Sequence, residues 1–181
     1  MSSSASVSQQ LCLHCGLCCN GVLFKDVELQ PGDDPIGLAA LGLPLQNGKA
    51  KSQNLKIGFP QPCVALCSGN RCRIYAGRPS RCRQFECSLF KAVHAGKVKT
   101  TVALRTIRNA RRRADRVRQL LDELGDGEAH IALSIRFKRM TRRLESAVPD
   151  EATADLYGQL TLAMHDLNAL LRREFYPDPA D

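Results

Sequence analysis

The run Cys12-Leu13-His14-Cys15-Gly16-Leu17-Cys18-Cys19 constrains this chain more than any other feature. Cys12, Cys15 and Cys18 follow one another at two-residue intervals, so a tightly curled loop can wrap three thiolates around one inorganic centre, with a fourth ligand supplied from elsewhere. Gly16 suits such a loop, since it takes positive φ without strain and lets backbone N–H groups approach sulfur. Chance or core packing does not produce this spacing. The adjacent pair Cys18 and Cys19 is expected to diverge, because neighbouring side chains point to opposite sides of a strand and lie about 100° apart around a helix. They are awkward partners for one mononuclear ion, and Cys19 is expected to serve a second centre or the far side of a multinuclear one.

Cysteines at this density are not needed merely to hold the chain together. With 181 residues, 44% of them hydrophobic, it can bury a core of ordinary size. The amino end is Ser-rich and uncharged, unlike a secretory leader. No run of about 18 apolar residues is present, so no membrane span is expected. The expectation is a cytoplasmic chain, and in that reducing setting clustered cysteines are metal ligands or redox groups more often than disulfides. Their odd number, nine, also argues against complete pairing.

All nine cysteines precede Lys91, and the remainder is rich in Arg, Leu and Ala. The fold class expected is mainly α, with an irregular cysteine-rich metal-binding front half and a C-terminal antiparallel helical bundle. Expected domains are a disordered amino end over 1–10, a cysteine-cluster chelating domain over 11–90 and a basic helical region over 91–181 packing on it. Frequent Gly and Pro between Gln30 and Pro62 forbid long elements there. Val22 to Glu28 and Leu55 to Phe59 are expected as strands, and Ile36 to Leu43 as a short helical turn. Beyond Lys91, Ala103, Ile107, Ala110, Ala114, Val117, Leu121 and Leu124 form one helical stripe, stopped by Gly125 and Gly127. A second stripe runs Leu133, Phe137, Met140, Leu144 and Ala147. The third runs from Leu156 to Leu171, with Asp150 as its N-cap and Pro177 and Pro179 beyond its end.

The second cysteine group is Cys63, Cys67, Cys72, Cys82 and Cys87. Its spacings match no zinc-finger template, and any one of the five could be core filler. Ser68-Gly69-Asn70 reads as a turn, and Pro79 with Ser80 as a helix start. Arg78, Arg81 and Arg83 stand among these cysteines. Their charge would offset the net double negative charge of four thiolates around a divalent ion, or Arg78 with Pro79 would simply fix the peptide between Tyr75 and Cys82.

Together the two groups resemble the YkgJ family of cysteine-cluster proteins, described as zinc- or iron-chelating domains. Its signature is C-x-x-C-x-x-C-C followed by C…C-x-I-Y-x-x-R-P-x-x-C-R. Cys12, Cys15, Cys18 and Cys19 match the first part, and Cys63, Cys72, Ile74, Tyr75, Arg78, Pro79, Cys82, Arg83, Phe85 and Cys87 the second. The resemblance covers about Leu11 to Phe90. It implies metal chelation by Cys12, Cys15, Cys18, Cys19, Cys63, Cys72, Cys82 and Cys87, with Cys67 as the odd cysteine. The family also includes flagellin lysine methylase-like proteins, which implies a part in protein methylation as a third functional reading.

Thiolate ligands alone do not separate an iron–sulfur cluster or iron from zinc. The ferredoxin-like run of three cysteines tilts the expectation toward iron, with zinc as the alternative. His14 could replace a cysteine or donate a hydrogen bond to a ligand, but a solvent-facing side chain is the expectation. Cys63, Cys67 and Cys72 miss the C-x-x-x-C-x-x-C spacing of radical enzymes, and no phosphate loop, nucleophile elbow or H-E-x-x-H motif is present. A metal-binding or electron-transfer role is therefore favoured over catalysis. The net charge of +8 admits an acidic protein or nucleic-acid partner. Arg105, Arg108, Arg112 and Arg116 share one side of their helix and are the candidate surface, with Arg136, Lys138, Arg139, Arg142 and Arg143 on the next. A solvated face is the usual meaning of such a run. The absence of Trp leaves little on which single-stranded bases would stack.

Overall fold

The strongest apolar stripes of the sequence become the longest elements of the structure, a computed structural model that describes residues 7–48 and 56–176. In chain order the elements are α1 (Val7–Cys15), β1 (Asp26–Glu28), α2 (Pro35–Ala40), β2 (Gln46–Asn47), β3 (Ile57–Pro60), α3 (Ser80–Gln84), α4 (Ser88–His94), α5 (Thr100–Glu123), α6 (Leu133–Glu145) and α7 (Glu151–Glu174). The chain is thus mainly helical, as expected, and it divides into two compact units. One gathers the chain through Gly16, Glu86–Ala129 and the chain from Ile135; the other gathers Leu17–Phe85 and His130–Ser134.

In the helical unit α5 buries Ala103, Ile107, Ala110, Ala114, Val117 and Leu121, as its stripe requires, and adds Leu120. Gly125 stops it with a φ of 81°. Helix α7 starts where Asp150 accepts a hydrogen bond from the Thr153 amide, and it buries Leu160, Met164, Leu167, Leu170 and Leu171. Arg113 donates to the Asp166 carbonyl and Arg116 to Gln159. Since partner numbers fall as those on α5 rise, α5 and α7 are antiparallel. Helix α6 is tied to the end of α5 by Arg143, which donates to the Leu124 carbonyl, and by Arg136.

Arg136 corrects one expectation, because it is only 2% exposed and takes no part in a basic surface. It donates to Asp122, to the Asp126 carboxylate and to the Asp126 carbonyl. Two further helices, α1 and α4, were not expected. Helix α1 covers residues 7–10 of the segment expected to be disordered, and residues 1–6 lie outside the described residues.

The second unit is built on a three-stranded antiparallel sheet in the order β1-β3-β2. Val27 pairs with Phe59 and Gln46 with Gly58. Gly58 is dictated by this crossing, since a Cβ there would stand 2.6 Å from the Val27 carbonyl oxygen. The expected strand over Val22 to Glu28 shrinks to Asp26–Glu28. That expected over Leu55 to Phe59 appears as Ile57–Pro60, with Leu55 outside the described residues. Val27, Leu38, Leu43, Phe59, Ala65 and Ile74 form the core, and Cys63, Cys72 and Cys82 pack on its margin. No helix among the described residues is long and apolar enough to cross a membrane.

Candidate metal centre

Three stretches of the second unit bring sulfur to one region, and each is held by backbone bonds that its sequence makes possible. The first carries Cys18 and Cys19 through a turn. Gly21, at a φ of 77°, closes the turn, and its carbonyl accepts from the Leu133 amide. A side chain would be crowded there, because a Cβ would lie 3.0 Å from the Ala132 Cα and 3.1 Å from Pro62 Cδ. The second stretch follows β3. The Cys63 amide donates to the Cys19 carbonyl at 2.8 Å, so these two ligand candidates are tied through the main chain. From Cys63 the chain turns back on itself, pairing Leu66 with Cys72 and joining the Arg73 amide to the Ala65 carbonyl. Ser68–Asn70 makes the turn expected of it, with both Gly69 and Asn70 at positive φ.

The third stretch is Tyr75 to Gln84. Arg78 lies with its guanidinium carbon 3.7 Å from the centre of the Tyr75 ring and donates Nε–H to the Tyr75 carbonyl at 3.0 Å. Its peptide-fixing role is therefore visible. Its charge also favours ionisation of Cys19, Cys72 and Cys82, so the electrostatic role is present as well. Buried Pro79 then leads into α3, which carries Cys82.

Burial and neighbouring charge set these thiols apart from one another. Hydrogen bonding with Cys18 lowers the Cys19 thiol below the ordinary range, against burial and with help from Arg78. Burial raises Cys63 and Cys72, and it pushes Cys82 up to about 12. Besides burial, each of these three is raised by its neighbours: Cys63 by Cys19 and Cys72, Cys72 by Cys19, and Cys82 by Cys19, Cys63 and Cys72. All six pairs among Cys19, Cys63, Cys72 and Cys82 therefore interact. Cys67 is exposed, and its charge also raises Cys72.

The pair Cys18 and Cys19 departs from expectation. Their Sγ atoms are 3.6 Å apart and do not point to opposite sides, because they sit in a turn rather than in a strand or helix. A tetrahedral site with metal–sulfur bonds of about 2.3 Å separates its sulfurs by about 3.8 Å, so this spacing suits ligation of one ion. The thiols are gathered without being drawn into a coordination shell. Among the described residues no group of three or more His, Cys, Asp or Glu side chains is arranged to hold one ion. The donor chemistry fits a soft metal, which binds thiolates and so would release protons from these thiols on binding.

Cys12, Cys15 and Cys87 belong to the helical unit. The curled loop expected from Cys12 to Cys18 is in fact the end of α1 followed by Gly16 at a φ of 67°. Arg111 donates to the carbonyls of His14 and Cys15 at the end of that helix, and the His14 side chain is exposed as expected. Cys87 precedes α4 as its N-cap, and burial raises its thiol. Arg105, Arg108, Arg112 and Arg116 are all exposed along one side of α5.

Asp33 is a functional candidate with no sequence signature. It joins the turn after β1 to the start of α3 through Ser80. Two residues 47 positions apart leave no local signal of such a bond.

A family profile described as "CxxCxxCC: Putative zinc- or iron-chelating domain" matches residues 11–106. No curated protein and no solved structure matches the chain.

Proposed function

The chain belongs to the CxxCxxCC family, and from that membership we propose that Cys19, Cys63, Cys72 and Cys82 form a four-thiolate centre for one zinc or iron ion. The observation that carries this reading is geometric: Cys63, Cys72 and Cys82 pack on the margin of one core, and the Cys63 amide is bonded to the Cys19 carbonyl. Cys18, 3.6 Å from Cys19, is the adjoining sulfur. A bound ion would contribute folding energy in either case, and one-electron chemistry only if it is iron.

The chain's own residues have definable parts in this. Arg78, braced on Tyr75, offsets thiolate charge; the apolar cluster under Cys63, Cys72 and Cys82 keeps water from the sulfurs on that side. The family signature also counts Cys12, Cys15, Cys18 and Cys87 as ligands, and the proposal retains them on that ground.

Metal and acid-labile sulfide analysis of protein made without oxygen tests the reading. One ion lost on Cys63→Ser or Cys82→Ser, without sulfide, is the expected result for the four-thiolate centre. Sulfide with several irons per chain would replace it with the iron–sulfur cluster that the spacing first favoured. A metal-free chain would overturn it altogether. Two ions, one of them lost on Cys15→Ser, would assign the remaining signature cysteines.

A second reading rests on a separate observation. Arg105, Arg108 and Arg112 are exposed and make no hydrogen bond or ion pair among the described residues, and Arg116 bonds only the exposed Gln159. Such a row of planar donors fits phosphates along a nucleic-acid backbone. Binding of duplex nucleic acid that weakens steeply with salt, and is lost when these four positions are neutralised, is the result expected. No binding at low salt removes this reading.

A further inference from the structure

We propose that Asp33 is a positioning residue for the thiolate centre: from the turn after β1 it anchors the first residue of α3, the short helix that carries Cys82 into the cysteine group. This inference rests on the four-thiolate reading. Both Asp33 carboxylate oxygens are engaged. Oδ1 accepts from the Ser80 amide and from the Ser80 hydroxyl, each at 2.8 Å, and Oδ2 accepts from the Gln30 amide at 2.8 Å.

The reason α3 needs such an anchor lies in its own sequence. Its N-cap is Pro79, whose side chain can cap nothing, so the first amides of the helix lack the local acceptor that Ser, Asp or Asn would supply. Asp33 provides that acceptor from 47 residues away. Five residues make too short a helix to persist by its own hydrogen bonds. Arg83 completes the arrangement by donating to the Ser80 hydroxyl at 3.2 Å, and its charge favours the carboxylate form of Asp33.

Cys82 lies two residues beyond Ser80. An anchor at Ser80 thus fixes the one ligand candidate in this unit that is borne by a helix, while Cys19 and Cys63 are tied directly through the Cys63 amide. Asp34, next door, does different work, since its side chain caps α2 through the Ile36 amide. The pair therefore supplies its own control.

The test compares Asp33→Ala, Asp33→Asn and Asp34→Ala in the full chain. Zinc affinity is measured by competition with a chromogenic chelator, and the alkylation rate of Cys82 relative to Cys67 is measured by mass spectrometry in metal-free protein. Asp33→Ala should weaken zinc binding about tenfold, the lower end for loss of a supporting hydrogen-bond partner. It should also raise relative Cys82 alkylation about fivefold, as expected for loss of a cap. Asp33→Asn, which keeps one acceptor oxygen, should fall between Ala and wild type. Asp34→Ala should leave both readouts within about twofold of wild type while losing comparable stability.

Equal losses in the Asp33 and Asp34 variants would reduce Asp33 to a general stabiliser and overturn the proposal. So would an unchanged Cys82 alkylation ratio in Asp33→Asn, the variant most certain to fold. Wild-type protein that takes no zinc would defeat the four-thiolate reading alone, because the alkylation ratio in metal-free protein decides the part played by Asp33.

Discussion

Raising the pH of metal-free protein should destabilise it through Cys82. The thiol is pushed from an ordinary 9.0 to about 12, with burial as the first cause and the neighbouring Cys19, Cys63 and Cys72 adding to it. Below pH 9 the sulfur is protonated in both folded and unfolded chains, so its contribution to stability is fully present there. Above pH 9 the unfolded chain ionises first, and stability is lost until the folded group also ionises near 12. Three decades at about 1.36 kcal/mol each give a total of about 4 kcal/mol, of which about 2 kcal/mol is gone by pH 10.5.

The assay is urea unfolding in reducing buffer with chelator, at pH 8 and pH 10.5, on wild type and Cys82→Ala. Other groups lose stability over the same interval, including Cys63, Cys72 and Cys87, whose thiols burial also raises. Only the difference between the two proteins reports Cys82. The wild type should lose about 2 kcal/mol more than Cys82→Ala across the interval. Equal losses would show that Cys82 is not buried among like groups and would remove it from the set. Zinc-loaded protein should lack the effect, because a coordinated thiolate is already ionised in the folded state.

Arg136→Met should destabilise the helical unit by about 3 to 5 kcal/mol, seen as a fall of roughly 10 °C in melting temperature, since it leaves the nearly buried Asp126 carboxylate without its cation. Gly21→Ala should cost about 2 kcal/mol in urea unfolding, because positive φ and crowding by Ala132 and Pro62 act together, whereas Gly69→Ala, with nothing within 4 Å, should show only the backbone share of about 1 kcal/mol. Arg78→Met should weaken zinc binding at least about tenfold, with Arg78→Lys between it and wild type if the charge matters beyond the bond to Tyr75. Cys67→Ser should leave metal content unchanged, in contrast to Cys63→Ser, when both are measured by elemental analysis.

What the sequence made legible follows from how local each signal is. Helices α5 and α7 declare themselves because a 3.6-residue repeat of apolar positions is written along one stretch of chain, and their caps at Gly125 and Asp150 adjoin them. Gly16, Ser68, Gly69 and Asn70 were legible for the same reason, each turn being specified by the residue that makes it. Helix α1 was hidden because its nine residues, VSQQLCLHC, are too few and too polar to write a repeated apolar stripe. The burial of Arg136 was hidden by its company, since it sits in a basic run and differs from Arg139 and Arg142 only through its partners Asp122 and Asp126. Asp33 had no signal at all, its partner being supplied by the fold.

The cysteines show where spacing stops being informative. Residue type and interval marked the first group, and the family resemblance added the second; Cys19, Cys63, Cys72 and Cys82 lie in one unit. Predicting where adjacent sulfurs point required a regular backbone, because alternation belongs to strands and the 100° step to helices. Cys18 and Cys19 occupy a turn, and their sulfurs stand 3.6 Å apart. That separation removes one of the two grounds on which spacing favoured a polynuclear iron centre, since the pair no longer has to serve opposite sides of anything. The helical placement of Cys12 and Cys15 weakens the other, because a ferredoxin-like run wraps its cluster as a loop. The choice between zinc and iron therefore passes from the spacing of the cysteines to sulfide analysis: a four-thiolate site for one ion holds no sulfide, and a cluster must.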